Sequence, residues 1–156
     1  MGYKKILVAV DRFQHSQVVF DHALDMAQKE TAELMIFCCL KQYTPADLEN
    51  RVGTAPTKLD DSEAIKIRRR LVDAEIIHAK SWVNTLAKQA EAKQIRAETL
   101  VEEGMPGPNI CELAKNWRAD LLVVGRTRRS KFAERFLGSV SNYVIHDAPC
   151  SVLLVQ

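Results

Sequence analysis

The chain has 156 residues, of which 47% are hydrophobic and 27% are charged, and its formal net charge is +2. A chain of this length forms one domain that buries roughly 68–70% of the surface of the unfolded chain. The composition argues against intrinsic disorder. So small a net charge gives no reason to expect nucleic acid or a membrane surface as a partner. We therefore expect a single domain over residues 1–156.

The apolar runs and the cysteines bear on the cellular compartment. No apolar run reaches the roughly 18 residues that suggest a membrane span. The first run is broken by Asp11, so it is interpreted as a strand and not as a signal peptide. The four cysteines, Cys38, Cys39, Cys111 and Cys150, include no CxxC pair, which argues against structural zinc. Reduced thiols favour a cytoplasmic protein.

The first part of the chain alternates apolar runs with a helical pattern. Residues 4–10 (KKILVAV) and 34–40 (LMIFCCL) are continuous apolar runs, as in strands buried on both faces of a parallel sheet. Between them, apolar residues at i, i+3, i+4 and i+7 predict a helix that Ser16 would cap. Residues 41–60 predict a long loop, which we expect to be mobile and to act as a lid.

The middle of the chain adds a helix, a strand and a second helix. A long helix is predicted from residue 61 to about residue 93, followed by a weaker edge strand at residues 97–101. The segment GMPGP, residues 104–108, predicts a turn. Asn109 is the expected cap of the short helix that follows.

The last part of the chain predicts strand, loop, helix and strand. Residues 120–124 (DLLVV) form the fourth strand, which Gly125 ends, and a basic loop follows. Gly138 and Ser139 open a helix that stops before a fifth strand at residues 150–155. Strands that alternate with helices predict right-handed βαβ units and hence an α/β fold with a parallel sheet.

Two of the predicted strands end in groups suited to an anionic ligand. Open α/β sheets bind ligands beyond the carboxyl ends of strands, where the strand order reverses. Asp11 follows the first strand, and the loop after Gly125 ends at Gly138 and Ser139. Glycine allows close backbone approach, and the first amides of a helix suit a phosphate. The pattern predicts an anion-binding loop between the fourth strand and the last helix.

A second interpretation of these residues stays open. Gly125 would then only end a strand, Ser139 would only cap a helix, and the arginines of the loop would only face solvent. His15 is interpreted as a solvated loop residue. Neither G-x-G-x-x-G nor G-x-x-x-x-G-K-[ST] occurs, so Rossmann and P-loop mechanisms lack support. The absence of HIGH-type and SGGxDS-type signatures argues against an adenylyl transferase.

The layout resembles the universal stress protein family along nearly the full chain, from KKILVAVD to APCSVLLV. The most specific part is GRTRRSKFAERFLGSVSNYVIHDAPCSVLLV, which is similar to that family's nucleotide loop, final helix and last strand. The resemblance implies a five-stranded parallel sheet of order 3-2-1-4-5 sandwiched by helices. That fold is Rossmann-like, of the adenine nucleotide α-hydrolase type.

The match to the family's ATP-binding pattern, G-x2-G-x9-G-[ST], has one departure. Gly125, Gly138 and Ser139 fit the pattern, whereas Arg128 stands at the middle glycine. Arg128 either pairs with a phosphate or blocks the loop, and both alternatives stay open. The family's first motif, Asp-Gly-Ser-x-x-Ser, survives only as Asp11 and Ser16.

The resemblance implies a ligand and its contacts. The ligand is ATP, and AMP or a cyclic nucleotide would fit the same cleft. Mg or Mn would be held mainly by the phosphates, with no dedicated metal site. The implied contacts to base, ribose and phosphates are Ala9, Val10, Asp11, Cys39, Val124, Gly125, Arg126, Arg128, Gly138, Ser139, Val140 and Ser141.

The function implied by the resemblance is that of a stress-response or signalling regulator. It would bind ATP and act through its conformational state and through a homodimer formed by the last strand. A nucleotide-free dimeric scaffold of the same fold is the alternative. A nucleotide-processing enzyme is disfavoured because no residue stands out as a general base, so at most slow ATP hydrolysis is expected.

Overall fold

The computed structural model describes residues 2–12, 15–42, 44, 61–126 and 138–156. Residue 43 and residues 45–60 of the lid predicted at residues 41–60, and the part of the basic loop that contains Arg128, lie outside the described residues. The described ranges contain five strands and four helices in alternation: β1 (Lys5–Val10), α1 (Ser16–Glu30), β2 (Glu33–Lys41), α2 (Asp61–Ala92), β3 (Ala97–Gly104), α3 (Pro106–Trp117), β4 (Leu121–Gly125), α4 (Ser139–Asp147) and β5 (Ser151–Val155).

The five strands form one parallel sheet in the order β3-β2-β1-β4-β5, which confirms the expected fold. At the centre, Val8 of β1 lies opposite Ile36 of β2 on one side and opposite Val123 of β4 on the other. The chain adds β2 and β3 on one side of β1, and then β4 and β5 on the other. The strand order therefore reverses between β1 and β4.

The sheet is buried on both faces because successive residues of each strand pack into different apolar clusters. Ile6 and Val8 belong to a cluster with α1 and α2, on what we call the α1/α2 face. Leu7 belongs to a cluster with α3 and α4, on the α3/α4 face. Cys38 and Cys39 divide in the same way, because neighbouring residues of a strand point to opposite faces.

Helix α3 begins earlier than predicted. Its first residue is Pro106 and its N-cap is Met105, so residues 106–108 of the segment interpreted as a turn begin the helix, whereas Gly104 ends β3. The prediction that Asn109 caps this helix is wrong, because its backbone N–H donates to the carbonyl of Met105 at 3.0 Å. Proline suits the first helical position because its N–H would have no partner there.

Helix α2 covers the sheet only with its C-terminal half. Its buried residues begin at Ala79 and include Val83 and Leu86, whereas Ile65 near its start is 66% exposed. Among the helices of the described ranges, none is both long enough and apolar enough to cross a membrane.

Asp120 holds the amino ends of β1 and β4 together. Its carboxylate accepts hydrogen bonds from the backbone amides of Lys4 at 2.8 Å and Lys5 at 3.1 Å. Its own amide donates to the carbonyl of Lys5 at 2.9 Å. One charged acceptor thus serves two amides at the end of the central strand pair.

We predict that Asp120→Ala lowers the free energy of unfolding by about 1.5–3 kcal/mol, because hydrogen bonds to a charged acceptor contribute that much. Urea denaturation followed by circular dichroism measures the change. Asp25→Ala is the matched control, since Asp25 is exposed and its ion pair within the described ranges is with Lys29 one turn away. That control is expected to cost less than about 0.5 kcal/mol. Equal losses for the two variants would contradict the role given to Asp120.

Candidate functional site

The candidate site lies at the carboxyl ends of β1 and β4, where the strand order reverses. Asp11 follows β1 directly, and Arg126 follows β4. Helix α1 packs on one face of the sheet and α4 on the other. The space beyond these two strand ends, between helices on opposite faces, is the usual ligand position in such sheets, and we call it the crevice.

Ser16 orients Asp11 across the turn between β1 and α1. The Ser16 hydroxyl donates to Asp11 Oδ1 at 2.8 Å and accepts from the backbone amide of Asp11 at 2.9 Å. The predicted capping role of Ser16 is wrong: the N-cap of α1 is His15, with no side-chain cap, and Ser16 is the first residue of the helix. Its buried hydroxyl holds the carboxylate at the strand end instead.

Ser141 joins the first turn of α4 to the end of β4. Its hydroxyl is buried and donates to the carbonyl of Gly125 at 3.1 Å. The helix N-cap is Gly138, whose carbonyl accepts from Asn142 at 2.9 Å. The amides of residues 139–141 precede that bond and have no partner within the helix. The arrangement sets these amides beside the end of β4.

Gly125 is required by the packing around it, whereas Gly138 is not required by its backbone conformation. A Cβ on Gly125 would lie 2.6 Å from Val19 Cγ2 and 3.3 Å from His15 Cδ2, so the close packing of α1 excludes a side chain. Gly125 thus has a structural role that needs no ligand. Gly138 has φ −61° and ψ 160°, which any residue adopts, so its backbone conformation does not require glycine.

The end of β5 meets the same crevice. The amide of Arg126 donates to the carbonyl of Val155 at 2.8 Å, and His15 Nε2 lies 3.5 Å from that carbonyl. Contrary to its interpretation as solvated, His15 is half-buried beside Gly125. No local pattern indicated this position, because it depends on the packing of α1 against β4.

The remaining predicted site residues lie at different depths. Val10 and Val124 are buried in the core, at 5% and 2% exposure, so only their backbone can reach a ligand. Ala9 and Cys39 are partly buried on the α3/α4 face and pack against the same cluster as Val140. Ser139 is exposed.

The thiols at the end of β2 are uncharged at neutral pH. Burial raises the pKa of Cys39 to about 12, with smaller contributions from Cys38 and the Glu102 carboxylate. Burial also raises the pKa of Cys38 to about 11, and the Asp11 carboxylate adds to this effect. Cys39 therefore presents a neutral, weakly polar surface on the α3/α4 face.

Two other features of the described residues give no second site. Within the described ranges, no group of three or more His, Cys, Asp or Glu side chains is arranged to hold a metal ion. A cavity of about 340 Å³ lies at the amino ends of the strands, lined by residues that include Thr31 and Gln94. It is at the opposite end of the sheet from Asp11, and its Arg96 is paired with Glu33 at 3.1 Å.

Comparisons with known proteins agree on one family. The model of the universal stress protein family matches residues 2–156. Universal stress protein Sll1388 of Synechocystis is 38% identical over 158 residues, which covers 100% of this chain and 99% of that protein. UspA from Lactobacillus plantarum has a TM-score of 0.80 and 26% identity, covering 100% and 99% of the two chains. A universal stress protein crystallised in complex with cAMP has a TM-score of 0.64 and 25% identity, covering 100% and 98%.

We predict that Gly125→Ala lowers the free energy of unfolding by roughly 1–3 kcal/mol, because the new methyl group overpacks the contact with Val19. Val19→Ala removes the methyl group that the new Cβ would meet. The loss of stability in the double variant should therefore be smaller than the sum of the two single losses, by about 0.5 kcal/mol or more. Urea denaturation of all four proteins measures this coupling. Strictly additive losses would show that the contact with Val19 is not the reason for glycine.

Proposed function

The chain belongs to the universal stress protein family, and on that premise we propose that it binds an adenine nucleotide in the crevice between the ends of β1 and β4. The observation that carries the proposal is the hydrogen bond from Ser141 to Gly125. It sets the first turn of α4 next to the strand end that faces Asp11. An anion-binding helix end and an oriented carboxylate then flank one crevice.

The phosphates are assigned to the first turn of α4. The amides of residues 139–141 point out of the helix end, where the helix dipole favours a negative charge. Ser139 is exposed and adds a hydroxyl, and Gly138 adds no side chain that would obstruct a phosphate. Arg126, at the start of the loop, adds positive charge.

The base is assigned to the end of β2, on the α3/α4 face. Two strand spacings, about 10 Å, separate β4 from β2, a distance that a nucleotide covers from phosphate to base. Ala9 and Cys39 offer a neutral surface there. A universal stress protein of the same fold was crystallised with cAMP, which supports an adenine nucleotide as the ligand class.

ATP is the proposed ligand, and a divalent metal would be held mainly by its phosphates. We assign no general base among the described residues, so the proposed activity is binding and signalling, with slow hydrolysis at most. The four free cysteines suit a reducing compartment, so we place the protein in the cytoplasm.

The proposed regulator acts through a homodimer formed by β5. This strand lies at the edge of the sheet, and Val152, Leu153 and Leu154 are only partly buried. Unpaired apolar edges favour association with another strand. The carbonyl of Val155 accepts from the amide of Arg126, so the dimer edge would be joined directly to the nucleotide loop.

We predict that Gly138→Val abolishes detectable Mg-ATP binding in calorimetric titration, because a branched side chain would occupy the path of a phosphate. Ser139→Ala should weaken binding about tenfold to a hundredfold, the loss of one hydrogen bond to a charged acceptor. Both variants should keep the wild-type circular dichroism spectrum. Ser81→Ala, on the exposed side of α2, is the control and should bind like the wild type.

Arg128 separates the two interpretations of the loop in the same titration. If Arg128 pairs with a phosphate, Arg128→Ala weakens binding; if it blocks the loop, Arg128→Gly tightens binding. Failure of both the wild type and Arg128→Gly to bind ATP would contradict the nucleotide proposal. The nucleotide-free dimeric scaffold would then be the better description.

We predict that Leu154→Lys converts the dimer to a monomer at micromolar concentration while the circular dichroism spectrum is unchanged. A charge on the edge strand would be buried in the paired interface at high cost. Light scattering measures the molar mass. Ile77→Lys is the control, because Ile77 is 66% exposed on α2 and should leave the dimer intact. A monomeric wild type at this concentration would contradict the proposed dimer.

A further inference from the structure

Glu102 and Asn109 form a polar pair beside the proposed base position. Asn109 Nδ2 donates to Glu102 Oε2 at 3.4 Å. Glu102 pairs in register with Cys39 on the neighbouring strand, and Leu100 before it packs on the α3/α4 face. Since strand residues alternate between faces, Glu102 shares both the face and the height of Cys39.

Gly104 makes the pair possible. A Cβ on Gly104 would lie 2.7 Å from Asn109 Nδ2, so a side chain there would displace the carboxamide from its place at the strand end. Met105 follows directly and is 67% exposed, an apolar side chain at the carboxyl end of the sheet. An apolar surface next to a few fixed polar groups is the usual composition of a small-molecule site.

The position of the pair matches the far edge of a purine base. From β4 to β3 the sheet spans three strand spacings, about 14 Å, with the proposed phosphates at one end. The edge of a purine that carries its position 6 points away from the ribose. A base lying over Cys39 would therefore direct that edge toward Glu102 and Asn109.

We propose that Glu102 and Asn109 select a 6-amino purine over a 6-oxo purine; this inference rests on the proposed function. An ionised carboxylate only accepts hydrogen bonds. Asn109 uses one N–H on Glu102, and its carbonyl oxygen is a second acceptor beside its remaining N–H. Two acceptors satisfy an exocyclic amine, whereas they oppose the oxygen of a 6-oxo group.

Calorimetric titration of the full chain with AMP and with IMP tests the selection, because the two ligands differ only at this edge of the base. Wild type is expected to prefer AMP by about tenfold to a hundredfold. Glu102→Gln keeps the size of the side chain but adds a donor. It should therefore weaken the binding of AMP, strengthen the binding of IMP and reduce the preference for AMP at least about tenfold. Glu98→Gln is the matched control: Glu98 is exposed on the same strand and pairs with Met35, which packs on the same face.

The outcomes distinguish this inference from the proposal on which it rests. Equal affinities of wild type for AMP and IMP, or an unchanged preference in Glu102→Gln, would overturn the selection and leave nucleotide binding intact. A preference reduced equally by Glu98→Gln would also overturn it, since charge alone would explain the effect. Failure of the wild type to bind AMP, IMP and ATP would overturn the proposed function and the selection together.

Discussion

The pairing of β4 with β1 is the constraint on which the rest of the structure depends. Right-handed crossovers place α1 and α2 on one face while the chain adds β2 and β3 outward from β1. The strands are apolar on both faces, so the second face also needs helices. The chain covers that face only by returning to the free side of β1. The helices beside the β1/β4 boundary then lie on opposite faces, and the carboxyl ends of these two strands form the crevice.

The contacts that hold the crevice do not involve Arg128, the position at which the chain departs from the family pattern. Ser141 fixes the first turn of α4 to Gly125, and the amide of Arg126 is fixed to the carbonyl of Val155. Both ends of the loop between β4 and α4 are thus anchored by residues outside it. A substitution within the loop changes what the loop offers to a ligand, while the positions of its two ends are set by the helix and the strands.

The sequence predicted the elements well because their apolar patterns are local. The runs of β1 and β4 and the end of α2 agree with the structure to within one or two residues. Three errors concern side chains whose role depends on contacts that their local pattern does not show. The Ser16 hydroxyl bonds to Asp11 and not to an amide of the helix, and Asn109 lies within a first turn that Pro106 begins. His15 lies beside Gly125 only because α1 packs there. Strand order came from the family resemblance, since hydrophobic periodicity does not contain it.

The two ends of the proposed nucleotide position carry opposite charge. At the β4 end lie the amino end of α4 and Arg126, followed along the chain by the basic residues of the loop. At the β3 end lies the Glu102 carboxylate, held by Asn109. A nucleotide placed with its phosphates toward α4 meets favourable charge at both ends, because its base directs an amine toward Glu102. In the reverse orientation the phosphates would lie against a carboxylate and the helix end would face an uncharged base. In the proposed binding mode, the charges at the two ends therefore favour the orientation with the phosphates toward α4.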